Sequence, residues 1–177
     1  MINNLLIRNA PKPFKFFLFS FLVVLSIGFF TGLTFVNNTQ SSTPKGITEN
    51  YNGNEMLEDL EVIKFKKGAR EMLTIIHTHI LSISLIFFLL GLLIWGTEIN
   101  LFWKSFLTIE PFISVLVTFG GIYFIWLEYT FISHIVMISG ILMTLSFTLG
   151  VILIGLALLK PPIQNSKVTG SGKIKIL

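Results

Sequence analysis

Four long apolar segments with almost no formal charge dominate this sequence of 177 residues. They run over residues 16–36, 72–97, 105–127 and 129–159. A helix needs about 20 residues to cross the hydrocarbon core of a bilayer, so each segment is long enough to span it. Inside lipid the backbone polar groups must be paired within the segment, which favours helices. The sequence therefore predicts an all-α integral membrane protein folded as a four-helix bundle.

The composition supports a membrane protein and excludes several other classes. Hydrophobic residues make up 53% of the chain and charged residues only 12%, which is unusual for a soluble globular domain. The absence of cysteine excludes disulfides, iron–sulfur clusters and thiolate zinc sites. The formal net charge of +4 is small and lies near the ends of the predicted spans. This charge indicates a solvated membrane face, not nucleic-acid binding.

The lysines and arginines predict the orientation of the bundle. With the N-terminus inside, the cytoplasmic parts hold eight basic residues: Arg8, Lys12, Lys15, Lys104, Lys160, Lys167, Lys173 and Lys175. The outer parts hold five: Lys45, Lys64, Lys66, Lys67 and Arg70. The positive-inside rule then favours two cytoplasmic termini. We expect a single membrane domain with one extended outer loop over residues 37–70 and a cytoplasmic tail over 160–177.

Within the outer loop, the two halves predict different local structure. Residues 37–46 are polar and turn-forming. Between Met56 and Phe65, apolar residues recur at a spacing of three to four among acidic ones. That spacing predicts a short amphipathic helix at the membrane surface.

All three histidines of the chain lie near the starts of two predicted spans, close to the outer face. His77 and His79 are in the second span and His134 is in the fourth. Residues two apart on a helix diverge by about 200°, so His77 and His79 do not hold one metal ion together. Because His77 shares a stripe with Thr74, Ser84 and Gly91, small or polar residues typical of helix interfaces in lipid, it is the better candidate to face the bundle.

Two hypotheses about function follow from this pattern. In the first, His77 and His134 bind haem b as axial ligands, or bind a copper or zinc ion, near the outer face. His79, Glu71 and Glu128 are weaker candidate ligands. In the second, the histidines lie at the headgroup level without a ligand. The protein is then a structural or accessory subunit, in lipid, of a complex with a membrane-protein partner or with further copies of itself.

The apolar spans also bear on transport and catalysis. We place Glu110 near the start of the third span and find no Asp, Glu, Lys or Arg in the middle of any span, which disfavours an ion-coupled transporter. Ser114, Thr118, Gly121 and Glu128 share one face of that span, and we interpret it as a bundle face. Motifs for nucleotide binding, zinc proteolysis or serine hydrolysis are absent. An enzyme is the least favoured class.

Residues 44–55, 64–79 and 139–147 resemble a family of small four-span bacterial membrane proteins of uncharacterised function. The most specific part of the resemblance is the His77-x-His79 segment at the start of the second helix. The resemblance implies a location in the bacterial cytoplasmic membrane. It implies no activity.

Overall fold

The computed structural model describes residues 6–55 and 62–163, and this part of the chain is entirely helical or irregular. Its α-helices are α1 (Lys12–Asn38), α2 (Pro44–Asn52), α3 (Ala69–Trp95), α4 (Leu101–Trp126) and α5 (Ser133–Leu159), with short 3₁₀ helices at Ile7–Asn9 and Thr130–Ile132. The structure has four helical stretches long and apolar enough to cross a membrane, Lys12–Asn38, Ala69–Trp95, Leu101–Trp126 and Thr130–Leu159. The predicted class, an all-α membrane bundle, is confirmed.

The third span begins four residues earlier than the sequence predicts. Asn100 caps α4, because its side-chain oxygen accepts a hydrogen bond from the backbone N–H of Trp103 at 3.0 Å. The helix therefore starts at Leu101 and not at Ser105. As a result Glu110 lies well inside the span.

In the loop over residues 37–70, α2 begins within the part (residues 37–46) where the sequence predicts turns. The Thr43 hydroxyl caps α2 by accepting from the Gly46 N–H at 3.1 Å, and Pro44 occupies the first helical position. Of the predicted amphipathic helix over Met56–Phe65, residues 56–61 lie outside the described residues. Residues 62–65 are described and are not helical.

The core is built by α3, α4 and α5, with α1 added on one side. Phe147 of α5 is fully buried. Its ring stacks on Phe29 of α1 with centroids 3.7 Å apart and meets Phe87 of α3 edge-on at 6.3 Å. In contrast, α1 fully buries only Leu18 and Leu22.

Polar contacts close the two ends of the bundle. At the end that carries the two ends of the described chain, the Arg8 guanidinium lies 2.6 Å and the Lys160 ammonium 3.1 Å from the Glu98 carboxylate. Their hydrogen bonds lower the pKa of Glu98. We call this the terminal end.

At the opposite end, which we call the loop end, the long loop is fastened to the last turn of α4. The Trp126 indole N–H donates to the Lys67 carbonyl at 2.8 Å. The Lys66 ammonium lies 2.7 Å from Glu128, and its hydrogen bond lowers the pKa of that carboxyl group.

Two adjacent glycines of α4 give a matched test of this packing. A Cβ at Gly121 would lie 2.4 Å from Val136 Cγ2, whereas a Cβ at Gly120 would have nothing within 4 Å. We expect Gly121→Ala to lower the free energy of unfolding by about 1–3 kcal/mol, because it overpacks the contact between α4 and α5. Gly120→Ala should leave it unchanged or raise it by up to about 1 kcal/mol. Circular dichroism during unfolding in detergent measures the free energy of unfolding of both variants. Equal stability of the two variants would contradict this packing of α4 against α5.

Candidate functional site

Glu110 is the carboxylate that lies inside the membrane-spanning part of α4. It stands nine residues after Leu101, which is about 14 Å along the helix axis at 1.5 Å per residue. Within the bounds of the four long helices, every other Asp, Glu, Lys or Arg lies within one turn of a helix end. The expectation that no charged residue occupies the middle of a span is therefore wrong, because α4 starts earlier than the hydropathy pattern indicates.

Two serine hydroxyls hold the Glu110 carboxylate from two helices. Ser114 of α4 donates to Oε1, and Ser146 of α5 donates to Oε2. Both serines are buried. Ser146 stands thirteen residues from each end of α5 (Ser133–Leu159), so the carboxylate lies level with the middle of that helix.

The same hydrogen-bonded line continues toward the loop end. Thr118 Oγ1 donates to Ser139 Oγ at 2.9 Å, and Ser139 Oγ donates to the Ser114 carbonyl at 2.9 Å. We call Glu110, Ser114, Thr118, Ser139 and Ser146 the polar seam. Because lipid offers no competing partners, hydrogen bonds of this kind help hold α4 against α5.

A groove of about 550 Å³ lies over the polar seam. Glu110, Ser105, Ser114 and Ser139 are its polar lining residues, and all its other lining residues are apolar: Phe102, Phe106, Ile109, Ile113, Val117, Ile135, Ile138 and Leu142. Most of these apolar side chains are exposed on the outer surface of the bundle. The groove therefore opens toward lipid, with Glu110 among its lining residues.

The predicted bundle face of the third span is only partly correct. Ser114, Thr118 and Gly121 are buried between helices, as expected, but Glu128 is exposed and pairs with Lys66. The acidic residue that belongs to this face is Glu110. The spacing Glu110, Ser114, Thr118, at intervals of four residues, is the sequence signal that identifies it.

Both histidines of α3 are exposed, and of the two it is His79 whose ring contacts a neighbouring helix. The His79 ring stacks on Phe119 of α4 with centroids 5.1 Å apart, and its Nδ1 donates to the Ile75 carbonyl at 2.7 Å. The expectation that His77 faces the bundle is wrong, because an aromatic ring of α4 packs against the other imidazole.

The remaining predicted ligands lie in separate surroundings. His134 lines a second cavity beside α2, and His77 does not. Glu71, in the first turn of α3, pairs at 2.6 Å with Lys67, which precedes that helix. Over residues 6–55 and 62–163 there is no group of three His, Cys, Asp or Glu side chains suited to hold a metal ion. Ligation by His77 and His134 stays a prediction.

Comparison with known proteins places the chain in a family. No curated protein and no solved structure matches the sequence. A family model described as Aq_1264_TM, a transmembrane helical domain, matches residues 41–165. The match takes in α2 to α5 and the whole polar seam, and α1 lies outside it. Because the model covers more than half of the sequence, the chain belongs to the Aq_1264_TM family of transmembrane helical domains.

Proposed function

We propose that this membrane protein binds a molecule dissolved in the bilayer that has an apolar body and one hydrogen-bond donor, an amine or a hydroxyl group. One observation carries the proposal: Glu110 lies inside a membrane-spanning helix and lines a groove whose apolar residues are mostly exposed on the surface of the bundle. Ionisable groups at this depth are costly, and they are typical of functional sites.

The carboxylate has acceptor capacity that the protein does not use. Its two oxygens offer about four lone-pair sites when ionised. The hydroxyls of Ser114 and Ser146 occupy one site on each oxygen. In apolar surroundings an unused acceptor strongly favours an incoming N–H or O–H donor, and an ammonium adds charge pairing.

The shape of the groove suits the apolar body of such a molecule. Its volume of about 550 Å³ is in the usual range for sites that hold small organic ligands. Phe106, Ile113 and Ile138 line the groove and are exposed at the outer surface. A ligand can therefore enter sideways from lipid and does not have to cross the core.

Three probes of equal chain length test the proposal: dodecylamine, dodecanol and dodecyl methyl ether, which lacks a donor. Native mass spectrometry of the detergent-purified protein should show the amine and the alcohol bound, and the ether bound about tenfold more weakly. Glu110→Gln should reduce amine affinity about tenfold, the size expected for loss of one charged hydrogen bond.

Glu98→Gln is the matched control, because it removes a carboxylate at the terminal end that does not line the groove. It should leave binding of all three probes unchanged. If Glu110→Gln binds the three probes as the unmodified protein does, the groove is not a site for donor-bearing ligands.

For location, we propose the cytoplasmic membrane of a bacterium with both termini in the cytoplasm. The support is the count of basic residues in the sequence, eight on the side of the two termini against five in the loop over residues 37–70. The chain has no native thiol, so single cysteines report the topology without interference.

Ser42→Cys and Pro162→Cys test this orientation, since both positions are exposed and lie at opposite ends of the bundle. In intact cells, an impermeant maleimide should label Cys at 42 and not at 162. Permeabilised cells should show both labelled. If only the cysteine at position 162 is labelled in intact cells, the orientation is the opposite of the one we propose.

The sequence-based hypotheses of a haem or metal site at His77 and His134, and of a cofactor-free accessory subunit, stay predictions. The separation of His77 from the cavity that His134 lines is the reason that the first is not our leading proposal. An absorbance spectrum and metal analysis of the purified protein test it, and a colourless, metal-free preparation from cells supplied with haem precursors and metals would contradict it.

A further inference from the structure

A second cavity, of about 630 Å³, lies at the loop end, between α2 and the start of α5. It is separate from the groove over the polar seam and has a different chemistry. Its titratable lining residues are Lys45, Glu49, Glu55 and His134, and Thr48, Asn52, Thr130 and Ser133 add further polar groups. The cavity lies beside the first turn of a membrane-spanning helix, so both water and lipid headgroups have access to it.

The balance of charge in this cavity favours a cation. Glu49 and Glu55 bring two carboxylates. The one ammonium of the lining, Lys45, has a side chain that is 81% exposed and lies 3.7 Å from Glu49. Such a loose surface pair contributes little, so a bound cation readily replaces it.

The backbone holds Glu55 in place. Gly53 has a φ of +82°, and a Cβ there would lie 2.2 Å from Glu55 Oε2 and 2.7 Å from the Lys66 backbone nitrogen. A glycine is thus needed both for the turn and for the close approach of the carboxylate. The segment is fixed further by Asn54, whose side-chain oxygen accepts from the Lys64 N–H at 2.7 Å.

The side-chain oxygen of Asn52 is a hydrogen-bond acceptor that no donor in the described part of the chain occupies. Its Nδ2 donates to the Ile125 carbonyl at 2.7 Å, which orients the amide. Its Oδ1 is buried and has no hydrogen-bond partner among the residues the structure describes. A buried acceptor left unpaired is costly, so a ligand N–H that reaches this oxygen would bind favourably.

We propose that this cavity binds a small organic cation through a primary ammonium group, with Glu49 and Glu55 as its counter-charges and the Asn52 amide oxygen as a further acceptor. The volume is much larger than a single ion needs. Glu49, Glu55 and His134 all line the cavity, but among the described residues no three such side chains form a group suited to hold a metal ion. Two sources offer this chemistry at a membrane surface: a free polyamine and the headgroup of an ethanolamine lipid.

Calorimetric titration of the detergent-purified protein with putrescine tests the proposal. We expect saturable binding that Glu49→Gln and Glu55→Gln each weaken about tenfold. Glu71→Gln is the matched control, because Glu71 pairs with Lys67 at the same end of the bundle and does not line the cavity. That variant should bind as the unmodified protein does.

Lys45→Met should raise the affinity for putrescine, a change that loss of the folded structure would not produce. It removes the exposed cation that competes for Glu49, so putrescine should bind a few-fold more tightly. Loss of binding in both glutamine variants, together with tighter binding in Lys45→Met, supports the site.

Nanodiscs distinguish the two sources. If phosphatidylethanolamine nanodiscs abolish putrescine binding while phosphatidylglycerol nanodiscs preserve it, the natural ligand is the lipid headgroup. If both preserve it, the ligand is a free amine.

The proposal is overturned if putrescine does not bind, if the glutamine variants bind it unchanged, or if calcium binds in its place. None of these outcomes bears on Glu110, so the two sites are tested separately.

Discussion

A carboxyl group in the hydrocarbon core has to be paired, and the pairing of Glu110 is the constraint on which the contact between α4 and α5 depends. An acidic residue at the centre of a membrane helix costs about 2.5–3.5 kcal/mol on insertion scales. Hydrogen bonds between membrane helices contribute on average about 0.6 kcal/mol each, and at most about 1.7. The two serine contacts therefore offset only part of the cost. Because the carboxylate is a net cost to the bundle on these figures, stability alone does not explain it.

The rest of the bundle is arranged around this contact. Gly121 lets α4 approach Val136 closely enough for the hydroxyls of the two helices to meet. Phe147, next to Ser146, fills the centre of the bundle and joins α5 to both α1 and α3. The family model covers residues 41–165, which include every residue of the polar seam. The loosely packed α1 lies outside this unit, consistent with its small buried surface.

The class of the fold could be predicted from the sequence because hydropathy over about 20 residues is a strong physical signal. The residues at which individual helices begin were harder to predict than the class of the fold. Asn100 extends α4 by a turn, and this moved Glu110 from an apparent helix start to the membrane interior. Thr43 and Pro44 are typical of turns and of helix starts alike, and in this loop they start α2. The face of His79 depended on the ring of Phe119, a long-range contact that helical periodicity within α3 does not report.

Chemical modification of Glu110 tests the central claim most directly. Dicyclohexylcarbodiimide dissolves in lipid and modifies carboxyl groups there, whereas a charged, water-soluble carbodiimide reaches only carboxyl groups in contact with water. With the protein in vesicles, peptide mass spectrometry should find the dicyclohexyl adduct on Glu110 and find no adduct at this position with the water-soluble reagent. Glu98 and Glu128, exposed at the two ends, should show the reverse preference. Modification of Glu110 by the water-soluble reagent as readily as Glu128 would contradict the account, because it would place this carboxyl group in water.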